Sequence, residues 1–198
     1  MMKKILRKIP KILMIISLFI MAYTLYNIVY SKYKVNKNLN KFNILKEATV
    51  KGEKETKDKP KSEVSNKKIN DSAILGILKI YDSNIPVLKG ASESTLKEGA
   101  GHLNSSSLPG ENGNCVILGH RDSVFSILKN VKKDDEIYIE TIKHTFFYKV
   151  VSTYITYPSD KSFMKNKDDS TLTLITCYPF NYIGSAPKRF IVIAKLQK

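Results

Sequence analysis

The 198-residue chain has a formal net charge of +15, which would suit nucleic-acid binding if the charge lay on a folded domain. Residues 1–70 instead hold 17 Lys and Arg against 5 Asp and Glu, a net of +12. Residues 71–198 hold 16 against 13, a net of only +3. The basic excess therefore lies outside the predicted domain, which argues against nucleic-acid binding as the function.

The N-terminus resembles a membrane signal anchor. Residues 12–30 contain no charged side chain, and 19 helical residues at about 1.5 Å each nearly cross a ~30 Å hydrocarbon core. A cleaved signal peptide is the main alternative, but this run exceeds a typical signal core and no small-x-small cleavage site closes it. We therefore expect residues 1–30 to be a cytoplasmic tail and an uncleaved transmembrane anchor.

Basic residues flank the apolar run on both sides. Those before it are Lys3, Lys4, Arg7, Lys8 and Lys11, and those after it are Lys32, Lys34 and Lys37. The short basic tail favours a cytoplasmic N-terminus, with the rest of the chain outside the cell membrane.

Residues 31–70 are rich in Lys, Glu and Asn, with few large apolar residues between Val50 and Ile69. Such a composition cannot bury enough apolar surface to offset its ordering entropy. We expect a flexible stalk or linker. One set of apolar residues has helical spacing and allows a short helix within 33–50, namely Val35, Leu39, Phe42 and Leu45.

Residues 71–198 are the right size for one domain. Strand-like runs lie near 73–80, 85–88, 114–119, 136–140, 144–157, 171–177 and 188–196. Short helical turns are expected at 93–99 and 122–131. Many short strands with few helices predict a mainly β protein built as a closed β-barrel.

Three residues with side chains suited to catalysis lie at the ends of strand-like runs. The run before Cys177 alternates Thr with Leu or Ile, and a second apolar run opens at Arg189. If these strands pair antiparallel, both residues lie at one rim of the sheet, and His120 also follows a strand. A cysteine nucleophile needs a proton-transfer partner and an oxyanion donor, which a His and an Arg can supply. We expect these three residues to form a catalytic site.

Three segments resemble the sortases, cysteine transpeptidases of the Gram-positive cell surface. They are TLITC at 173–177, GHRDSVF at 119–125 and YPFNYIGSAPKRFIV at 178–192. The last segment looks most like class D. The resemblance covers roughly 71–198 and implies an eight-stranded barrel with a catalytic groove on its surface. It also implies that the loop 159–170 lines this groove and contributes to recognition.

The resemblance implies the roles of the three residues. Cys177 would attack the Thr–Gly bond of an LPxTG-like sorting signal and hold the surface protein as a thioester. His120 would transfer protons, since imidazole both gives and takes a proton near neutral pH. Arg189 would stabilise the oxyanion. The expected partners are surface proteins bearing the sorting signal and an amine of a peptidoglycan precursor.

Alternatives remain from other functional classes. A pilin-polymerising sortase would use a pilin lysine as the amine, and a surface cysteine peptidase would use the same residues to release free acid. A papain-type peptidase is disfavoured because His120 precedes Cys177 in the chain. A non-catalytic binding barrel would not need the three residues at all.

The remaining candidates favour structural roles. Cys115 precedes His120 by five residues, roughly 16 Å along an extended strand. If His120 lies next to Cys177, Cys115 is too far from Cys177 for a disulfide, which needs Cα atoms within about 7 Å. We therefore expect a buried free thiol. His102 and His144 are expected to be structural or surface residues. The histidines lack zinc-site spacing and the acidic run 134–136 lacks calcium-loop spacing, so neither a metal nor a cofactor is predicted.

Overall fold

The computed structural model describes residues 9–55, 74–182 and 184–197. A long N-terminal helix precedes eight strands. The helices are α1 (Ile9–Glu55) and α2 (Glu93–Leu96), with 3₁₀ turns at Ser126–Asn130 and Ser162–Met164. The strands are β1 (Ile74–Ile80), β2 (Ser83–Lys89), β3 (Ala100–His102), β4 (Asn114–Leu118), β5 (Glu136–Glu140), β6 (Thr145–Thr156), β7 (Thr171–Tyr178) and β8 (Lys188–Leu196).

The eight strands form a closed barrel in the order β1-β2-β3-β4-β7-β8-β6-β5, and β5 returns to pair with β1. The pairs β2–β3 and β4–β7 are parallel, and the others are antiparallel. This architecture confirms the predicted closed eight-stranded barrel. The sequence pattern alone indicated seven strands, and β3 is the additional one. It is only three residues long, too short to show a period.

Strand β7 is buried on both faces. Leu172 and Leu174 pack in the barrel interior, whereas Ile175 packs outside it against Val116, Phe163 and Ile191. The Thr–Leu alternation predicted a half-buried strand, but all residues from 171 to 176 are buried. The difference arises because the loop before β7 folds back over its outer face. Burial of the Thr173 and Thr176 hydroxyl groups is compensated because each of them donates a hydrogen bond within the protein.

Helix α1 is longer than the sequence indicated. Where we expected a flexible stalk over 31–70, the chain is helical as far as Glu55, and residues 56–73 lie outside the described residues. Near its N-terminal end, an 18-residue stretch has a mean hydropathy of 2.2 and none of it is buried. By length and composition, this part of α1 can cross a membrane.

The second half of α1 docks on the barrel. Phe42 is only 1% exposed and packs with Ile74, Ile77 and Leu88, and Leu39 lies against the same cluster. These two residues belong to the apolar set with helical spacing. The apolar face of the helix therefore packs against the barrel, which explains why this segment is helical despite its polar composition.

Polar contacts surround this apolar cluster. Lys34 Nζ lies 3.1 Å from Glu98 Oε1, and Asn38 Nδ2 donates to the Glu98 carbonyl at 3.1 Å. Lys46 pairs with Glu140, whose carboxylate also binds Lys79. Hydrogen bonds from these two lysines hold the pKa of Glu140 below its usual value. The helix is thus attached through both apolar and charged contacts.

We expect the fragment 66–198 to fold alone, because the barrel closes through its own strands. The fragment 31–198 should be more stable, since it adds the burial of Phe42. Truncating a buried Phe typically costs ~3–5 kcal/mol. Phe42→Ala in the fragment 31–198 should therefore lower the free energy of unfolding by about 3 kcal/mol, measured by urea denaturation.

The matched control is Ile44→Ala, because Ile44 lies on the same helix but is 67% exposed. It should change the free energy of unfolding by less than about 0.5 kcal/mol. Equal effects of the two substitutions would mean that α1 is undocked in solution. Aggregation of the fragment 66–198, alongside an active full-length protein, would place the domain boundary further upstream.

Candidate active site

The pairing of β7 with β8 brings Cys177 and Arg189 together. They are directly opposed partners in the antiparallel register, near the end of β7 and the start of β8. Directly opposed residues project from the same face of a sheet. Both side chains are partly exposed. The thiol and the guanidinium therefore share one face at one rim of the barrel.

The pairing of β7 with β4 adds His120 to this rim. The parallel register runs residue by residue to Leu118 opposite Ile175. Beyond the strand, Gly119 N donates to the Ile175 carbonyl at 3.1 Å, and Thr176 Oγ1 donates to the Gly119 carbonyl at 2.8 Å. Continued by two residues beyond Leu118, the same register brings His120 level with Cys177 at the end of β7. The structure thus brings all three sequence-predicted site residues to one place.

The backbone around His120 is fixed by a tight turn. Phe125 N donates to the His120 carbonyl at 3.0 Å, and the Phe125 ring is fully buried. A Cβ on Gly119 would come within 2.6 Å of that ring, so glycine is required there. The imidazole Nε2 lies 3.8 Å from Glu93 Oε1, and the His120 side chain is 33% exposed. The ring is therefore held at the rim yet open to solvent.

Arg189 is oriented by its own loop. Its Nη1 donates to the carbonyl of Lys188 at 2.9 Å and to that of Ala186 at 3.2 Å. A guanidinium carries five N–H donors, so these bonds fix the side chain while using one of its nitrogens.

The loop 159–170 covers the outer face of β7 leading to Cys177. Its 3₁₀ turn buries Phe163 to 3% exposure against Val116, Ile175 and Ile191. Because Ile175 lies two residues before Cys177, it shares the outer face with the thiol. An apolar surface beneath this loop therefore leads along β7 to Cys177.

Arg121 follows His120 directly and was not singled out as a functional residue by the sequence. Its Nη2 donates to the carbonyls of Tyr182 and Gly184 at 2.8 and 3.0 Å, and its guanidinium lies 5.6 Å from the centre of the Tyr182 ring. Within the described ranges, its buried Nη1 has no hydrogen-bond partner. Arg121 thus connects the His120 turn to the loop before Arg189. Its position directly after His120 was the available signal.

The other candidates have the structural roles expected of them. Cys115 is 1% exposed in the barrel core, both cysteines are free, and burial, with a smaller effect of Glu111, raises the pKa of its thiol to about 12. His102 is buried, with Nε2 2.9 Å from the Ser107 carbonyl oxygen. His144 is exposed in the turn before β6. Within the described part of the chain, no three His, Cys, Asp or Glu residues form a group that could hold a metal.

Known proteins resemble this chain over most of its length. Residues 77–197 match the family described as the sortase domain. Sortase D of Bacillus subtilis is 36% identical over 147 residues, which cover 73% of this chain and 74% of that protein. Among solved structures, the Clostridium perfringens sortase D5 transpeptidase has a TM-score of 0.63 and 26% identity, covering 85% of this chain and 98% of that one.

A pilus-related sortase C of Group B Streptococcus is also similar, with a TM-score of 0.60 and 27% identity, covering 82% of this chain and 91% of that one. These comparisons confirm the family indicated by the three sequence motifs, and the two sortase D relatives agree with the class D resemblance. The chain belongs to the sortase family of transpeptidases.

Proposed function

We propose that the protein is a membrane-anchored cysteine transpeptidase that cleaves an LPxTG-like sorting signal and transfers the surface protein to a cell-wall amine. The observation that supports this proposal is the pairing of β7: Cys177 lies opposite Arg189, and Gly119, the residue before His120, is hydrogen-bonded to Ile175 and Thr176. Membership of the sortase family supplies the reaction class.

In the first half of the reaction, the Cys177 thiol gives its proton to His120, and Sγ attacks the carbonyl carbon of the scissile Thr–Gly bond. Arg189 donates hydrogen bonds to the oxyanion, where a permanent positive charge is most effective. The C–N bond then breaks, and His120 gives its proton to the departing amine. The products are a thioester on Cys177 and a released peptide with a free amino group.

In the second half, the acceptor amine attacks the thioester carbon. His120 takes the proton that the amine loses, and the sulfur of Cys177 leaves as the new amide forms. A peptidoglycan amine is the proposed acceptor. A pilin lysine is the alternative acceptor, which similarity to a pilus-related sortase C supports.

The same proposal assigns the parts of the chain. Residues 1–30 form the cytoplasmic tail and membrane anchor, 31–70 connect it to the barrel, and 71–198 form the extracellular catalytic domain. Support for the anchor comes from the length and hydropathy of the first half of α1. Support for the orientation comes from the basic residues that precede it.

Cys177→Ala should abolish turnover, whereas Cys115→Ser should keep most activity and lose some stability. At neutral pH, a thiol reagent should label Cys177 alone, because burial keeps Cys115 protonated until the pH approaches about 12. Mass spectrometry of tryptic peptides from wild type and Cys115→Ser would locate the label. Label on Cys115 in the folded protein would contradict its burial, and turnover by Cys177→Ala would remove the proposed nucleophile.

Arg189→Lys should slow turnover by ~10²–10³-fold, the usual effect of losing one oxyanion donor. Lysine keeps the charge but lacks the planar set of N–H donors. Steady-state rates with an LPxTG-like peptide would measure the loss, and circular dichroism would verify folding. Near-wild-type turnover in this variant would leave Arg189 a purely structural residue.

The purified protein should ligate an LPxTG-like peptide to a supplied amine in preference to hydrolysing it. Cys, His and Arg serve hydrolysis equally well, so the partition of the thioester decides the class. Mass spectrometry at rising amine concentration should show a ligated product that grows at the expense of free acid. Release of acid alone, whatever amine is present, would make the protein a peptidase.

A further inference from the structure

We propose that Asn114 is a positioning residue that holds the loop 159–170 over the outer face of β7 and so keeps the sorting-signal groove preformed. This inference rests on the proposed function, because the groove belongs to that site. Asn114 is the first residue of β4 and is 2% exposed. It pairs with Thr171 at the start of β7, whereas Cys177 lies near the end of that strand.

Both the nitrogen and the oxygen of the Asn114 side-chain amide are hydrogen-bonded within the protein. Nδ2 donates to the carbonyls of Phe163 and Lys165, at 2.8 and 3.0 Å. Oδ1 accepts a hydrogen bond from Thr173 Oγ1 at 2.7 Å, and Thr173 is fully buried. The amide therefore connects the loop to the middle of β7.

Backbone contacts at the same position strengthen the connection. Asn114 N donates to Asn166 Oδ1 at 3.2 Å, and the Asn114 carbonyl accepts from Ser107 N at 3.1 Å. Gly113 has a φ of +116°, and a Cβ there would come within 2.5 Å of Asn166 Oδ1 and 2.2 Å of Ser107 Oγ. Glycine thus lets the two loops approach the start of β4 closely.

The position of the loop determines the surface next to the thiol. The two carbonyls that Asn114 binds bracket Met164, and both Phe163 and Met164 pack in the cluster with Ile175. Ile175 lies on the outer face two residues before Cys177. Releasing the loop would uncover this apolar surface and remove one wall beside the thiol.

Only an amide fits this environment. Asparagine supplies two N–H donors and one acceptor from a single short side chain. Aspartate has nearly the same shape but would face two carbonyl oxygens without a donor, and its charge would be buried. Asn114→Asp therefore breaks the loop contacts while keeping the volume.

Asn114 is too far from the Cys177 thiol to act on it directly. Asn114 pairs with Thr171, six residues before Cys177, which is about 20 Å along the strand. The substitution should consequently weaken binding of the sorting signal while leaving the reactivity of the Cys177 thiol unchanged.

The test compares full-length wild type, Asn114→Asp and Asn84→Asp in detergent micelles. Asn84 is an exposed residue of β2 and controls for the added charge. For Asn114→Asp, we expect KM for an LPxTG-like peptide to rise about tenfold or more, as for the loss of two buried hydrogen bonds. The kcat value and the rate of Cys177 alkylation by iodoacetamide should stay within about twofold, and Asn84→Asp should match wild type.

A second readout needs no substrate. Amide hydrogen exchange in the loop 159–170 should be at least about tenfold faster in Asn114→Asp than in wild type, with the barrel strands unchanged. This readout holds even if wild type forms no thioester, an outcome that would refute the proposed function separately. Unchanged exchange and KM in Asn114→Asp would overturn the inference, as would a fall in kcat and alkylation at constant KM.

Asn166→Ala serves if Asn114→Asp fails to fold. Asn166 is exposed, and its Oδ1 accepts a hydrogen bond from Asn114 N at 3.2 Å. Loss of this one bond should raise KM about threefold and speed exchange in the loop. Wild-type values for both quantities would count against the positioning role.

Discussion

The two-sided pairing of β7 is the constraint on which the site depends. Its parallel register with β4 and its antiparallel register with β8 together align three separate parts of the chain at one rim. Side chains alternate along a strand, so a slip of one residue would exchange its two faces. Leu172 and Leu174 would then leave the core, and Cys177 would turn inward. Core packing and the geometry of the candidate active site are therefore fixed by the same hydrogen bonds.

Much of the barrel could be predicted because its strands show alternating or continuous apolar runs. Strand β3 could not, since three residues that include Gly101 carry no period. The docking of α1 was also missed, because the composition of 31–70 is that of a solvated segment. What orders this segment is the contact of Phe42 with Ile74 and Leu88, and sequence composition does not reveal such distant partners.

The residues around the site divide in a similar way. Cys177, His120 and Arg189 could be proposed because each combines apt chemistry with a strand end and a recognisable motif. Asn114 and Arg121 could not, because each acts by donating to backbone carbonyls of a distant loop. A carbonyl acceptor is present at every residue, so the accepting loops carry no sequence signature of these contacts.

The continuity of α1 has a consequence for how this protein meets its substrates. A flexible linker of 40 residues would let a domain wander about 35 Å in any direction. A docked helix instead fixes both height and orientation, and the rise from Tyr30 to Lys46 is about 24 Å. With the proposed anchoring, the rim that carries Cys177 would be confined to a thin layer parallel to the bilayer. Encounters would then depend on lateral diffusion within that layer, and reaction partners outside it would be out of reach.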